Sequence, residues 1–124
     1  MTPDFPVGDV RLRVSGDESW ASPAVVDEVF LILREAIRNA VRHGLPQRLL
    51  IGVALTPQEL HAWVEDDGRG FVFTGWGEQV FGGVGLASMQ ERAALIEGRI
   101  TIDSAPGQGT HVELSVPLPG RRDG

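Results

Sequence analysis

Hydrophobic residues recur along the chain with two different periods, which divide its first half into a strand and a helix. Apolar residues alternate with arginines over residues 10–14, which is the pattern of a half-buried strand. Over residues 23–43 they recur every three or four positions instead, which predicts one long helix. Ser22 followed by Pro23 is a typical helix start, and Gly44 is a typical end.

The second half of the chain contains two predicted hairpins, separated by a glycine-rich segment and a helix. The predicted elements are strands at 48–55 and 60–66, a helix at 86–97, and strands at 99–104 and 110–116. Residues 68–85 hold seven of the sixteen glycines, which predicts a mobile loop, and we expect residues 71–82 to be poorly ordered without a ligand. The order of elements predicts an α+β fold in which helices cover one face of a sheet.

The composition indicates one globular domain over residues 1–124. Hydrophobic residues make up 42% of the chain, and the longest apolar run, residues 29–33, is far too short to span a bilayer. The absence of cysteine excludes a disulfide framework and a thiolate metal site. The net charge is −6, and all eleven basic residues are dispersed arginines, so neither nucleic acid nor direct membrane contact is expected. We expect a cytoplasmic, monomeric domain.

The predicted first helix has one apolar and one mixed face. The apolar face, which we expect to pack on the sheet, consists of Val26, Val29, Phe30, Leu33, Ile37, Ala40 and Val41. The other face carries Glu28, Glu35, Asn39, Arg42 and His43, with Leu31 and Ile32 among them. Apolar residues among charges, and the only asparagine of the chain in mid-helix, favour a pocket wall. A solvated face with an ordinary polar pair at positions i and i+4 is an equally open alternative.

The phase of the strand at 60–66 places a carboxylate on its core side. Asp66 shares a face with Leu60, Ala62 and Val64, and a charge on that side needs a partner. Asp66 either caps the following turn through the amides of Gly68 or Arg69, or accepts a hydrogen bond from a ligand amino group such as that of adenine.

Glycines also open the second helix, in the run Gly82-Gly83-Val84-Gly85-Leu86. Glycine lets a phosphate approach the backbone closely, and the free N–H groups of a helix N-terminus favour anions. A flexible connector is an equally open alternative, and the run lacks the lysine of a Walker loop.

Together, these segments resemble the ATP-binding catalytic domain of sensor histidine kinases, in the superfamily shared with gyrase, Hsp90 and MutL. Four motifs in order carry the resemblance: Glu35-Ala36-Ile37-Arg38-Asn39-Ala40-Val41-Arg42-His43, Asp66-Asp67-Gly68-Arg69-Gly70-Phe71, Gly83-Val84-Gly85-Leu86, and residues 102–110. The Arg42-His43 pair and the start of the second helix are similar to the nitrate-sensor-like subfamily with a short lid. The resemblance implies a two-layer α/β sandwich of the Bergerat type, with a mixed sheet covered on one face by helices.

The resemblance also implies a role for each residue of these motifs. Asn39 would ligate Mg²⁺, and Glu35 would support the ion or its bound water, so these two form the expected catalytic and metal-binding pair; which of these roles Glu35 takes is open. Asp66 would accept from the adenine amino group. The other expected ATP-binding residues are Arg42, His43, Gly68, Gly70, Gly83, Gly85, Leu86 and Thr110.

The implied activity is transfer of the γ-phosphoryl group of ATP to a histidine on a separate dimerisation domain, with a response regulator downstream. The acceptor domain is expected to lie outside residues 1–124, since His43 belongs to a motif and His61 and His111 are expected to face outward from strands. The parent protein could be tethered to a membrane. The alternatives are an anti-sigma-type serine kinase and an ATP-binding module without transfer activity.

Overall fold

The computed structural model describes residues 9–44, 46–72 and 83–119. The elements in chain order are β1 (Asp9–Ser15), a 3₁₀ turn (Glu18–Trp20), α1 (Pro23–Asn39), a π-helical turn (Ala40–Gly44), β2 (Arg48–Leu55), β3 (Glu59–Asp66), α2 (Gly83–Leu95), β4 (Arg99–Ser104) and β5 (Thr110–Pro117). No helix within these residues has both the length and the apolar character needed to cross a membrane.

The five strands form one mixed sheet in the order β1-β2-β3-β5-β4. β1 runs parallel to β2, because the connection between them passes through α1, and the other neighbouring pairs are antiparallel. The predicted α+β fold, with helices on one face of a mixed sheet, is confirmed.

Side chains on the helix-facing side of the sheet line up in rows across the strands. Two of these rows are entirely apolar: Val53–Ala62–Leu114–Ile100 and Ile51–Val64–Val112–Ile102. α1 and α2 cover them, with Val29, Ile32 and Ala36 of α1 and Met89 and Ala93 of α2 buried in the same core. The row at one end of the sheet is different, because it reads Leu49–Asp66–Thr110–Ser104. The apolar face therefore ends in a row of polar groups.

The first helix begins where the sequence predicts and changes character before its predicted end. The Ser22 hydroxyl accepts a hydrogen bond from the backbone N–H of Val25 at 3.2 Å, and Pro23 occupies the first turn. After Asn39 the α-helix gives way to the π-helical turn, so the predicted helix at 23–43 consists of two different helical segments. π turns carry i→i+5 hydrogen bonds, and they often lie at functional sites.

The buried side of α1 is rotated relative to the prediction. Phe30 lies on the face predicted to pack on the sheet but is 61% exposed, whereas Ile32, on the predicted mixed face, is 1% exposed. The reason is the position of α2, which packs against the Ile32 side of α1 and is joined to it by an ion pair between Arg92 and Glu28 at 3.0 Å. α1 thus packs against α2 as well as against the sheet, and its own sequence does not indicate the second partner.

β1 forms as predicted, but the prediction that it is half buried is wrong. Its register places Val10, Leu12 and Val14 on the helix-facing side of the sheet, where they are 44%, 65% and 64% exposed. β1 is an edge strand, and among the described residues α1 packs on β3 and α2 on β4, two or more strands away. Within the described part of the chain, the helix layer therefore leaves the apolar side of β1 uncovered.

The second helix begins earlier than predicted, at Gly83 instead of residue 86, and ends at Leu95. Its end is closed by Gly98, whose N–H donates to the carbonyl oxygen of Ala93 at 2.7 Å. Residues 68–85 are predicted to be mobile, and most of this segment, residues 73–82, lies outside the described residues.

Candidate functional site

Four of the elements converge on the end of the sheet that carries the polar row. β3 ends there at Asp66, and β5 begins opposite it at Thr110. The π-helical turn after α1 ends only a few residues before β2, whose Leu49 pairs with Asp66, so the C-terminal end of α1 lies at the same end. α2 packs on β4 and connects to the start of β4, which is the end away from the polar row. The start of α2 therefore lies toward the polar row. The topology therefore gathers the four sequence motifs at one end of the domain.

Asp66 is the one charged residue that is buried within the described part of the chain, at 7% exposure. Its Oδ1 accepts a hydrogen bond from the backbone N–H of Gly68 at 2.7 Å. Burial raises the pKa of the Asp66 carboxyl, the hydrogen bond from Gly68 opposes this, and the neighbouring charge of Asp67 adds to it. The turn-capping interpretation is therefore right about Gly68, and the expected core-side position of Asp66 is confirmed.

A cavity of about 350 Å³ opens beside Asp66. Its lining comes from the end of β3 and from the β4–β5 hairpin: Glu65, Asp66, Asp103, Ser104, Ala105, Gln108, Gly109, Thr110 and His111. Its volume is at the lower end of the range found for small-molecule sites. A second cavity of about 280 Å³, lined by Arg11, Arg13 and Arg48 among others, contains none of the predicted site residues.

The loop after β3 and the turn of the β4–β5 hairpin are in direct backbone contact. The N–H of Gly107 donates to the carbonyl oxygen of Arg69 at 2.6 Å. Gly70 and Gly109 have positive φ angles of 67° and 77°, and a Cβ on either would overlap a backbone carbonyl oxygen, of Ala105 and Asp66 respectively. Glycine is thus required at both positions by contacts within the protein itself.

Asp67 fastens the same loop to the start of β2. Its Oδ1 accepts from the backbone N–H groups of Gln47 and Arg48, each at 2.9 Å. These hydrogen bonds lower the pKa of the Asp67 carboxyl, and the bond from Arg48 has the largest effect. No local sequence pattern indicates this role of Asp67, since its partners lie about twenty positions earlier in the chain.

At the end of α1, Glu35 and Asn39 are half buried and one helical turn apart, so they share a side of the helix. Arg42 is exposed in the π-helical turn. The side chain of His43 lies outside what the structure describes. Gly83 and Gly85 form the first turn of α2, where the backbone N–H groups of a helix have no partner within the helix itself and suit an anion. The side chain of Leu86 is also outside the description.

The oxygen atoms of Asn39 and Glu35 are suitable ligands for Mg²⁺. This ion prefers hard oxygen donors and usually takes only one or two from the protein, with water and phosphate completing its coordination. No group of three or more histidine, aspartate or glutamate residues in the described part of the chain could hold a metal ion on its own. The donor set therefore fits an ion that is bound together with phosphates.

His61 and His111 both lie on the face of the sheet opposite the helices, as expected. His61 lies 3.5 Å from Glu59 and 3.8 Å from Glu113, and His111 lies 3.3 Å from Glu113. His111 also reaches the rim of the cavity, which the sequence did not indicate.

Comparisons with known proteins agree with this arrangement. The profile of the family described as histidine kinase-, DNA gyrase B-, and HSP90-like ATPase matches residues 24–120. The chain is 34% identical over 102 residues to the signal transduction histidine-protein kinase/phosphatase DegS of Bacillus subtilis strain 168, with 82% of this chain and 26% of DegS covered. It is 35% identical over 98 residues to the sensor histidine kinase LiaS of the same organism, with 78% and 26% covered. The chain thus spans about a quarter of the length of these relatives.

Solved structures show the same fold at lower sequence identity. Histidine kinase AdeS of Acinetobacter baumannii superposes with a TM-score of 0.69 at 18% identity, over 92% of this chain and 56% of that one. The histidine kinase domain of the blue-light activated kinase of Erythrobacter litoralis EL346 gives 0.64 at 20% identity, over 88% and 55%.

Proposed function

Because this chain belongs to the histidine kinase-, DNA gyrase B-, and HSP90-like ATPase family, we propose that it binds ATP with Mg²⁺ and donates the γ-phosphoryl group to a histidine on a separate domain in two-component signalling. The observation that supports this most directly is the buried carboxylate of Asp66 beside a cavity, at the end of the sheet where α1 ends and α2 begins. The acceptor helices, the response regulator, a cytoplasmic location and a monomeric state belong to the same proposal.

The base of the nucleotide would occupy the cavity beside Asp66 and Thr110. A carboxylate offers only acceptor atoms, so it suits the amino group of adenine. Gly68 holds one carboxylate oxygen through its N–H, which fixes the orientation of the group. Thr110 lies directly opposite Asp66 in the register of β3 and β5, so both side chains face the same space.

The phosphates would lie between the end of α1 and the start of α2. Asn39 and Glu35 would hold Mg²⁺ there, and the ion, when bound, neutralises phosphate charge during transfer. Arg42, His43 and the N–H groups at Gly83, Gly85 and Leu86 would face the same charges. The contribution of the chain to phosphoryl transfer is positioning and charge neutralisation, because this reaction needs little covalent chemistry from the protein.

The transfer itself requires an acceptor from outside the described chain. His61 and His111 lie among glutamates on the face of the sheet opposite the helices. The proposed phosphate site is on the helix side, between the end of α1 and the start of α2. A histidine presented by another domain would instead have to approach the proposed phosphate site. The relatives named as histidine kinases are about three times as long as this chain, which leaves room for such a domain.

Calorimetry with ATP and Mg²⁺, followed by incubation with γ-labelled ATP and a histidine-bearing helical hairpin, tests the proposal. We expect binding, and acid-labile label on the hairpin histidine. Label on a serine-bearing antagonist protein instead would establish the serine kinase alternative, and binding with no transfer to either substrate would establish a nucleotide-binding module. Failure to bind any adenine nucleotide would refute the proposal.

A further inference from the structure

The hydroxyl group of Ser104 is the centre of a small hydrogen-bond network at the wall of the cavity. It lies 2.9 Å from the backbone nitrogen of Phe71, 3.0 Å from the carbonyl oxygen of Gly109 and 2.8 Å from the hydroxyl oxygen of Thr110. Ser104 and Thr110 are also direct neighbours in the register of β4 and β5, next to Asp66 in the polar row. Ser104 therefore touches the side chain that shares the cavity with Asp66.

The three contacts fix which atom donates each hydrogen bond. The N–H of Phe71 can only donate, and the carbonyl of Gly109 can only accept. A hydroxyl has one hydrogen, so Ser104 satisfies both partners by accepting from Phe71 and donating to Gly109. The remaining contact then requires the hydroxyl of Thr110 to donate to Ser104. The reverse direction would leave two oxygen atoms, of Ser104 and Gly109, 3.0 Å apart without a hydrogen between them.

This assignment determines what Thr110 offers to the cavity. Its only hydroxyl hydrogen is directed at Ser104, so its free lone pairs are acceptors. Asp66 is an acceptor as well while it is ionised. The two groups on this wall thus match a ligand that presents hydrogen-bond donors, and they oppose one that presents an acceptor at the same place.

We propose that Ser104 is a positioning residue that holds the Thr110 hydroxyl as an acceptor and thereby contributes to the preference of the site for 6-amino over 6-oxo purine nucleotides. The inference rests on the proposed function, since it assumes that the base lies in this cavity. In this proposal, Ser104 influences the choice of base through the Thr110 hydroxyl. ADP and IDP are suitable probes, because they differ in the base at the amino or oxo group and at the protonation of N1.

Calorimetry with ADP and with IDP, each with Mg²⁺, measures the ratio of the two affinities in the full chain. We expect Ser104→Ala to lower the ADP-to-IDP ratio by about tenfold, as the freed Thr110 hydroxyl turns to donate to the 6-oxo group. Ser104→Thr retains the hydroxyl and should retain the ratio. A loss of affinity that is equal for both nucleotides would show that Ser104 only supports the loop, and would overturn the inference.

Thr110→Val provides the second test and keeps the inference falsifiable if Ser104→Ala does not fold. It removes the hydroxyl through which Ser104 acts, so the ratio should fall by a similar factor. In a double-mutant cycle, Ser104→Ala combined with Thr110→Val should lower the ratio no further than Thr110→Val alone. An unchanged ratio in Thr110→Val, or additive effects in the cycle, would contradict the inference. Binding of neither nucleotide by the unmodified chain would instead refute the proposed function itself.

Discussion

Replacing Asp66 by Asn tests the proposed adenine site with the smallest possible change in shape. The carbonyl oxygen of Asn can still accept from the N–H of Gly68, which now bonds Oδ1 at 2.7 Å. That choice turns the amide NH₂ group toward the cavity, where it would face the adenine amino group, donor against donor. The alternative orientation keeps an acceptor in the cavity and loses the bond to Gly68. Either way one hydrogen bond is lost.

A hydrogen bond to a charged acceptor contributes about 1.5–3 kcal/mol. We therefore expect Asp66→Asn to weaken ADP binding by about 10- to 150-fold, measured by calorimetry. Glu65→Gln is the matched control, because Glu65 is the preceding residue, lines the same cavity and carries the same charge, but is exposed on the other face of the strand. It should change the affinity less than about threefold. Equal losses in both variants would refute a specific role for Asp66.

The same variant has an expected signature in stability. Burial raises the pKa of Asp66 in the folded state, so the folded protein binds this proton more tightly than the unfolded chain does. Stability therefore falls as the pH rises from about 3.8 through the folded pKa, and Asp66→Asn removes that loss. In urea unfolding, the free energy of the variant relative to the wild type should increase between pH 4 and pH 7. A relative stability that decreases over this interval would contradict the burial argument.

Three further predictions concern other parts of the site. Asn39→Ala should reduce the dependence of ADP affinity on Mg²⁺ while leaving the thermal midpoint nearly unchanged; an undiminished Mg²⁺ effect in calorimetry would remove Asn39 from the ion site. Gly109→Ala should destabilise the fold by at least about 2 kcal/mol in urea unfolding, because the added Cβ would overlap the carbonyl oxygen of Asp66. Gly107→Ala is the control: its φ is 79° and the space around it is open, so the substitution should cost about 1 kcal/mol. Equal costs in the two variants would be inconsistent with the contact. Asp67→Asn should remove a contribution to stability that is present at neutral pH and is lost as the pH falls through the lowered pKa of this carboxyl; an unaltered acid limb of the pH profile would show that its two hydrogen bonds do not matter.

Much of the fold follows from patterns that are local in the sequence. The start of α1 is encoded by Ser22 and Pro23, and the position of Asp66 on the core side follows from the period of two in β3. The mixed sheet and the convergence of the motifs follow from the order of elements, together with the resemblance.

The features that the sequence did not predict depend on which surfaces meet. α1 has apolar residues on several sides, and only the placement of α2 decides that Ile32 is buried while Phe30 is exposed. In the same way, the exposure of Val10, Leu12 and Val14 on β1 depends on how far the helix layer extends across the sheet. The contacts of Asp67 with β2 and of Ser104 with Phe71 join segments that lie 19 to 33 residues apart, so no local pattern indicates them.

The site has two parts whose backbone amides should exchange on different timescales: the polar row of the sheet and the end of α1. Asp66 and Thr110 are paired within β3 and β5, which each have a neighbouring strand on both sides, so their amides should exchange with solvent only when most of the domain unfolds. Asn39 and Arg42 lie where α1 passes into a π-helical turn, outside the hydrogen-bonded ladder of the sheet, so we expect their amides to exchange sooner. Bound nucleotide would accordingly slow amide exchange most strongly at the end of α1, and that end would report occupancy of the site while the base-binding wall stayed protected throughout.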